Sequence, residues 1–175
     1  MNIIIEKAQE SDIDALSRFY DEVNDYLASH INYPEWKRGI YPARDTAENA
    51  VLEGTAYAAR ENGRIIGSFI LRQVPENGYA KADWHFPADY DKIIVVYTME
   101  VKPDYYGKGV GRQLVHFVVD YGRKNGMKAV RLDVYEKNEP AIRLYQKCGF
   151  QYIDTVDLGY GKYGLDRFAL FQKLL

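Results

Sequence analysis

One cysteine, Cys148, is all that 175 residues contain. That excludes an internal disulfide and any zinc site built from cysteines alone. Histidine is nearly as scarce: His30, His85 and His116 stand far apart and form no metal-spaced pair, so no metal is expected. Charge of one sign is missing too, since 23 Lys and Arg against 25 Asp and Glu leave a net −2. A generic binder of phosphate backbones is usually basic, so nucleic acid is not an expected partner. No apolar run approaches the ~20 residues of a membrane span. Residues 1–7 read as a strand and not as a basic-then-apolar leader. No repeat, low-complexity tract or linker interrupts the chain. What remains is a reduced, cytoplasmic enzyme or binding protein with no membrane partner.

What is present is ordinary for a globular chain: 47% hydrophobic and 27% charged residues,. The length suits one domain over residues 1–175, able to bury roughly 70% of its unfolded surface. Sixteen tyrosines are many, enough for both a core and a binding surface.

Hydrophobic periodicity gives the order of elements. Residues 2–6 form an apolar strand. Ser11 can cap a helix reaching about His30, with Ile13, Leu16, Phe19 or Tyr20, Val23 and Leu27 on one face,. Residues 31–44 break the pattern, and a short helix over 45–52 follows. Strands at 55–60 and 64–72 are joined by Asn62-Gly63, a strong hairpin signal,. Residues 75–91 form a polar, aromatic loop. Residues 93–101 form a near-continuous apolar strand, as for a sheet centre covered on both faces. A glycine-rich turn then leads into a helix reaching Asn125. Residues 129–135 alternate Val130, Leu132 and Val134 against Arg131, Asp133 and Tyr135, as a strand does. A helix from Asn138 to Gly149 and two strands, about 151–157 and 166–173, complete the order β-α-α-β-β-β-α-β-α-β-β. The fold class is α/β, a mixed sheet with helices on it.

Between the apolar strand and its helix stands Tyr106-Gly107-Lys108-Gly109-Val110-Gly111-Arg112. One glycine there would only permit a tight turn. Three alternating glycines let backbone N–H groups approach a ligand without Cβ atoms in the way. A helix N-terminus adds free N–H groups and partial positive charge, which suits a pyrophosphate, and Lys108 and Arg112 add to it. The dinucleotide fingerprint G-x-G-x-x-G fails, because its third glycine is misplaced. The nucleoside-triphosphate loop is absent, since no glycine precedes Lys-Ser or Lys-Thr here.

A second motif runs from Asn138 to Phe150. Asn138 is a natural N-cap and Gly149 a natural stop. Asn138 and Tyr145 are seven apart, about two turns, so an amide and a phenol share one face. Taken singly, Asn138 reads as a cap and Tyr145 as a core aromatic. Cys148 reads as a small buried residue with no base beside it in sequence.

These two motifs, in this order, resemble those of the GNAT superfamily of N-acetyltransferases. The first signature is met at Met99, Val101 and Pro103, then Tyr106, Gly107, Gly109 and Gly111. The second is met at Asn138, Ala141, Leu144, Tyr145, Lys147, Gly149 and Phe150. The element order agrees along nearly the whole chain. One departure is Tyr106, where the family usually has Arg or Gln, which implies an altered phosphate contact.

The resemblance implies a V-shaped sheet and acetyl-coenzyme A as co-substrate. Residues 106–112 would hold its pyrophosphate. Backbone groups near Met99 and Val101 would pair with the pantetheine arm, and Asn138 would contact it. Tyr145 would donate to the departing thiolate. Glu100, a carboxylate in an apolar strand, is the base candidate if burial raises its pKa. Glu100 turned to water or paired with a cation is the competing reading, with Asp133 and a water chain as fallback.

Acceptor recognition is expected from irregular aromatic segments: Tyr33, Trp36 and Tyr41, then Trp84, His85 and Phe86, then Tyr160 and Tyr163. An aromatic wall suits a flat or cationic amine. Any one of them equally fits a self-packed loop cluster. The expected partner is a small-molecule or peptide amine. Apolar residues near the C-terminus (Tyr152, Phe168, Leu170, Phe171, Leu174, Leu175) suggest a homodimer. A module that binds acyl-coenzyme A without turnover, or a transferase of longer acyl chains, fits the same motifs.

Overall fold

The computed structural model describes residues 1–175. The elements are β1 (Ile4–Lys7), α1 (Ile13–Ser29), α2 (Arg44–Leu52), β2 (Ala56–Glu61), β3 (Arg64–Arg72), β4 (Ile93–Val101), α3 (Val110–Lys124), β5 (Ala129–Tyr135), α4 (Glu139–Lys147), β6 (Gln151–Val156) and β7 (Phe168–Leu174). Their order is the one the periodicity predicts. The seven strands are hydrogen-bonded in the order β1-β2-β3-β4-β5-β7-β6. The chain divides into two compact units, one of Met1–Leu71 with Thr98–Leu114, the other of Arg72–Tyr97 with Val115–Leu175.

In the first unit β1, β2 and β3 form an antiparallel meander. The turn Asn62-Gly63 has φ of 49° and 76°, the doubly left-handed pair that lets two strands reverse without splaying,. The end of β4 lies beside β3: the Lys102 N–H donates to the Ile66 carbonyl at 2.8 Å. Gly67 is needed there, because a Cβ would come within 3.1 Å of Leu114 and 3.3 Å of the Glu100 carbonyl. α1 buries Leu16, Phe19, Tyr20, Val23, Asn24 and Leu27, so both Phe19 and Tyr20 face inward. Its start differs from expectation. Ser11 does not cap it; Glu10–Asp12 forms a 3-10 turn, and the Asp12 carboxylate accepts from the Gln9 N–H at 2.8 Å. The first turn of α1 itself has no side-chain cap.

In the second unit β4 runs parallel to β5, with pairing from Ile93–Ala129 to Val96–Leu132. β7 lies between β5 and β6. Its residues Phe168 to Gln172 are buried without alternation, because both of its faces are covered. Phe168, Leu170 and Phe171 are therefore spent inside the unit, while Tyr152 and Leu174 stay exposed.

The second unit also overturns a simple inside–outside reading of β5. Arg131, on the strand's polar side, is 3% exposed. The cause is the segment between β3 and β4, which folds as two 3-10 turns, Asn77–Lys81 and Tyr90–Lys92. Tyr79 and Trp84 from this segment join Ile93, Val95, Phe168 and Leu170 in one cluster. Each large side chain so buried contributes on the order of 2–3 kcal/mol, enough to hold a loop that lacks regular structure. Gly78 sets how closely it docks, since a Cβ would lie 2.6 Å from the Asp157 carbonyl and from Leu158. Gly78→Ala should therefore destabilise the protein by about 1–3 kcal/mol. Thermal unfolding should show a fall of roughly 3–10 °C. An unchanged melting temperature would mean that the loop does not depend on this contact.

Candidate functional site

β4 ends at Val101, and Pro103–Tyr105 follows as a 3-10 turn. The Tyr106 N–H donates to the Pro103 carbonyl at 3.0 Å and the Lys108 N–H to the Tyr105 carbonyl at 3.2 Å. Gly107 and Gly109 have φ of 72° and 82°, a backbone that L side chains rarely adopt,. A Cβ at either would meet nothing within 4 Å, so the space beside the turn is open. α3 starts at Val110, and the N–H groups of Val110, Gly111 and Arg112 have no intrahelical acceptor by geometry,. Gly111 thus serves the first helical turn and not the loop. Lys108 and Arg112 are exposed, with the Lys108 ammonium 5.2 Å from the Tyr105 ring centre. Left-handed glycines, open space, free N–H groups and two cations fit an extended phosphate group. Tyr106 does not aim a charge at it: its ring stands edge-on to Tyr26 at 5.7 Å. Burial, then the Glu100 carboxyl, pushes its phenol up to about 12.

One face of β4 carries Thr98 and Glu100 inward, while Met99 and Val101 are half-buried. Glu100 is 6% exposed, and neither carboxyl oxygen has a hydrogen-bond partner. Burial drives its pKa well above the usual carboxylate range. It neither turns to water nor pairs with a cation, so the competing expectation is not met. The Tyr20 hydroxyl, 3.5 Å from the Ser68 hydroxyl, is also pushed up, by burial first and by Glu100 second. Thr98 has φ 50° and bonds through its hydroxyl to the Tyr41 hydroxyl. The Asn24 amide donates to the Pro42 carbonyl at 3.0 Å, leaving its own buried oxygen without a partner.

The second unit holds the other titrating groups. The Tyr79 hydroxyl donates to the Asp133 carboxyl at 2.6 Å. Asp133 is raised to about 7, by burial chiefly and by the charge of Glu76; the Tyr79 hydrogen bond opposes the shift. Tyr145, 7% exposed on α4, packs 5.7 Å from Phe150. Burial, with Asp133 adding, raises its phenol well beyond the ordinary range, so it stays protonated. Asn138 caps α4 as expected, accepting from the Ala141 N–H at 3.4 Å. Its Nδ2 has no part in that bond. Tyr79 was invisible to periodicity because it lies in the irregular loop. The one available signal was a carboxylate in a strand that Tyr residues surround in composition.

The aromatic residues part company. Trp36 stands edge-on to Tyr41 at 5.7 Å, and its backbone is clamped on both sides by the Asn32 amide. Tyr33 is half-buried and Tyr41 exposed. Tyr163 is 49% exposed, with Lys162 over its ring at 4.9 Å. Trp84 is corrected: it is 8% exposed, and its indole N–H donates to the Tyr79 carbonyl at 2.9 Å. It is a packing residue, because apolar Ile93 and Val95 lie beneath the loop that carries it. Tyr160 bonds to Glu76 at 3.1 Å and packs on Phe168.

A family model described as the acetyltransferase (GNAT) family matches residues 16–150. Among curated relatives, mycothiol acetyltransferase of Propionibacterium freudenreichii is 28% identical over 155 residues, covering 83% of this chain and 45% of that protein. Mycothiol acetyltransferase of Thermobifida fusca is 34% identical over 103 residues, covering 59% of this chain and 29% of that protein. The chain thus spans less than half the length of these relatives. Among solved structures, a GNAT-family acetyltransferase of Streptococcus agalactiae superposes with a TM-score of 0.79 at 18% identity, over 99% of this chain and 95% of that one. The yncA protein of Salmonella typhimurium, solved with its cofactor acetyl-CoA, gives 0.67 at 21%, over 100% and 95%. The matched residues run through both units and include the glycine turn and the whole Asn138–Phe150 motif, so the chain belongs to the acetyltransferase (GNAT) family.

Proposed function

We propose that residues 1–175 act as an N-acetyltransferase domain, moving an acetyl group from acetyl-coenzyme A to a primary amine by direct attack in a ternary complex. The observation that carries this is the open, left-handed glycine turn at the start of α3. Acetyl-coenzyme A supplies the thioester. The N–H groups of residues 107–112, with Lys108 and Arg112, hold its phosphates. The half-buried backbone at Met99 and Val101 and the Asn138 amide take the pantetheine arm. Tyr33, Trp36, Tyr41 and Tyr163 are the aromatic candidates for contact with a small-molecule or peptide amine.

Holding two reactants in line can supply ~7–11 kcal/mol of the barrier. The remaining work is proton transfer. Asp133, near 7, is half ionised at neutral pH, which suits a base,. Glu100 is held neutral by burial and must first give up its own proton. We therefore assign the base to Asp133 and keep Glu100 as the second carboxyl to be tested. Tyr145, protonated at any working pH, donates to the leaving thiolate.

Four substitutions test this. Gly109→Val forces a side chain onto a φ of 82° and into the open space; coenzyme affinity should fall at least about tenfold while the protein stays folded,. Unchanged affinity by calorimetry would sink the cradle. Tyr145→Phe should lower kcat roughly 10–1000-fold with little change in coenzyme affinity; wild-type turnover would withdraw its role.

The base is read from pH profiles. Wild-type kcat/KM should rise with pH and level off above about 7. Asp133→Asn should remove that limb and Glu100→Gln should keep it; the reverse outcome gives the role to Glu100. Stability supplies a separate check on Glu100. Its folded form binds the proton more tightly than the unfolded chain, so stability falls as pH rises above the ordinary carboxylate range,. Glu100→Gln should flatten that fall, and an unflattened curve would show the carboxyl ionised in the native state.

A further inference from the structure

Arg131 is a buried cation with no anion beside it. Its Nε donates to the Gln172 side-chain oxygen at 2.9 Å, Nη1 to the Tyr90 hydroxyl at 3.0 Å and Nη2 to the Phe86 carbonyl at 3.0 Å. Its guanidinium carbon lies 4.3 Å from the Trp84 ring centre and 5.3 Å from that of Tyr90. Every one of these partners is neutral. Gln172 is itself fixed, donating to the Trp84 carbonyl at 3.0 Å, so the guanidinium has one orientation. Three of its five N–H groups are used, and one remains on each terminal nitrogen.

Burying a charge without a counter-charge is costly, and neutral acceptors and ring faces offset only part of it. A structural arginine would be expected beside a carboxylate. This one borders open space instead. A cavity of about 440 Å³ is lined by Arg131, Tyr79, Trp84, Tyr90, Pro75 and Glu76, among others. The Glu76 carboxylate there is engaged by the Tyr160 hydroxyl at 3.1 Å. A second cavity of about 290 Å³, along residues 82–88, also reaches Arg131.

We propose that the 440 Å³ cavity is a binding site for a small oxyanion carried on a flat apolar body, a carboxylate or a phosphate monoester. The two free N–H groups of Arg131 take the oxyanion, and the half-buried ring of Tyr90 takes the body. A planar guanidinium with a donor on each terminal nitrogen matches two oxygens of one anion. The site lies wholly within the second unit and goes beyond the transferase reading, which does not use it.

The test is titration calorimetry on the full chain without coenzyme, so it succeeds or fails separately from acetyl transfer. Benzoate and phenyl phosphate are the two anionic probes, and benzyl alcohol is the neutral control. Saturable binding of at least one anion is expected, with benzyl alcohol at least about tenfold weaker. Benzoate alone binding marks a carboxylate site, and phenyl phosphate alone a phosphate site. Arg131→Gln should weaken the bound anion at least about tenfold. Should that variant fail to fold by circular dichroism, Ala82→Leu decides, since it narrows the same cavity and leaves Arg131 in place. No saturable binding of either anion overturns the proposal. So does equal binding of benzyl alcohol, or an affinity unchanged in the folded variants.

Discussion

A β-branched residue sits at a φ near +50° only when its surroundings hold it there, at a cost of about 1–3 kcal/mol. Thr98 does so in the middle of β4. Upstream of it, β4 is an ordinary parallel partner of β5 as far as Val96. Downstream, Glu100 is turned into the first unit and the backbone runs beside β3, with Lys102 bonded to Ile66. The Tyr41 hydroxyl bonds to the Thr98 hydroxyl and so helps hold this residue in its conformation. The first glycine of the turn, Gly107, follows nine residues later.

The two raised carboxyls have one cause and two chemistries. Desolvation dominates both. Glu100 has no donor to stabilise its anion, so burial acts unopposed. Asp133 has the Tyr79 hydroxyl, which favours the charged form and brings the group back to about 7. Hydrogen bonding to the charged form thus sets Asp133 apart from Glu100, which burial pushes up unopposed,. Tyr145 feels Asp133 as a further upward push and remains a donor while Asp133 gains and loses its proton.

The regular elements were legible because their signals are local. An apolar run gave Ile93–Val101, Asn-Gly gave the β2–β3 turn, and Asn138 with Gly149 bracketed α4. The glycine turn before α3 was legible for the same reason, since a left-handed backbone favours glycine wherever it occurs,. The misses are long-range. Arg131 reads as solvent-facing by alternation, and only the loop between β3 and β4 makes it buried. Trp84 reads as a binding aromatic because it lies in that loop, yet it packs on residues of β4 and β7. No period in residues 73–92 announces that the loop will cover a sheet face. The start of α1 failed more locally: Ser11 was the conventional cap, but it lies inside the 3-10 turn Glu10–Asp12 that precedes the helix, and α1 starts without a side-chain cap.

Tyr106 shows how a departure from the family's motif is absorbed. Arg or Gln there would add a donor at the entrance of the turn. Tyr106 instead spends its ring on Tyr26, which stacks in turn on His30 at 3.8 Å. The donor lost is one side chain among several groups. The N–H groups of the first turn of α3 do not depend on it, and Lys108 and Arg112 supply charge from exposed positions. What Tyr106 adds is order, because an aromatic contact between the turn and α1 restrains the loop ahead of any ligand. In the proposed cradle, a loop restrained in this way would lose less entropy on binding, which would offset part of the missing side-chain contact.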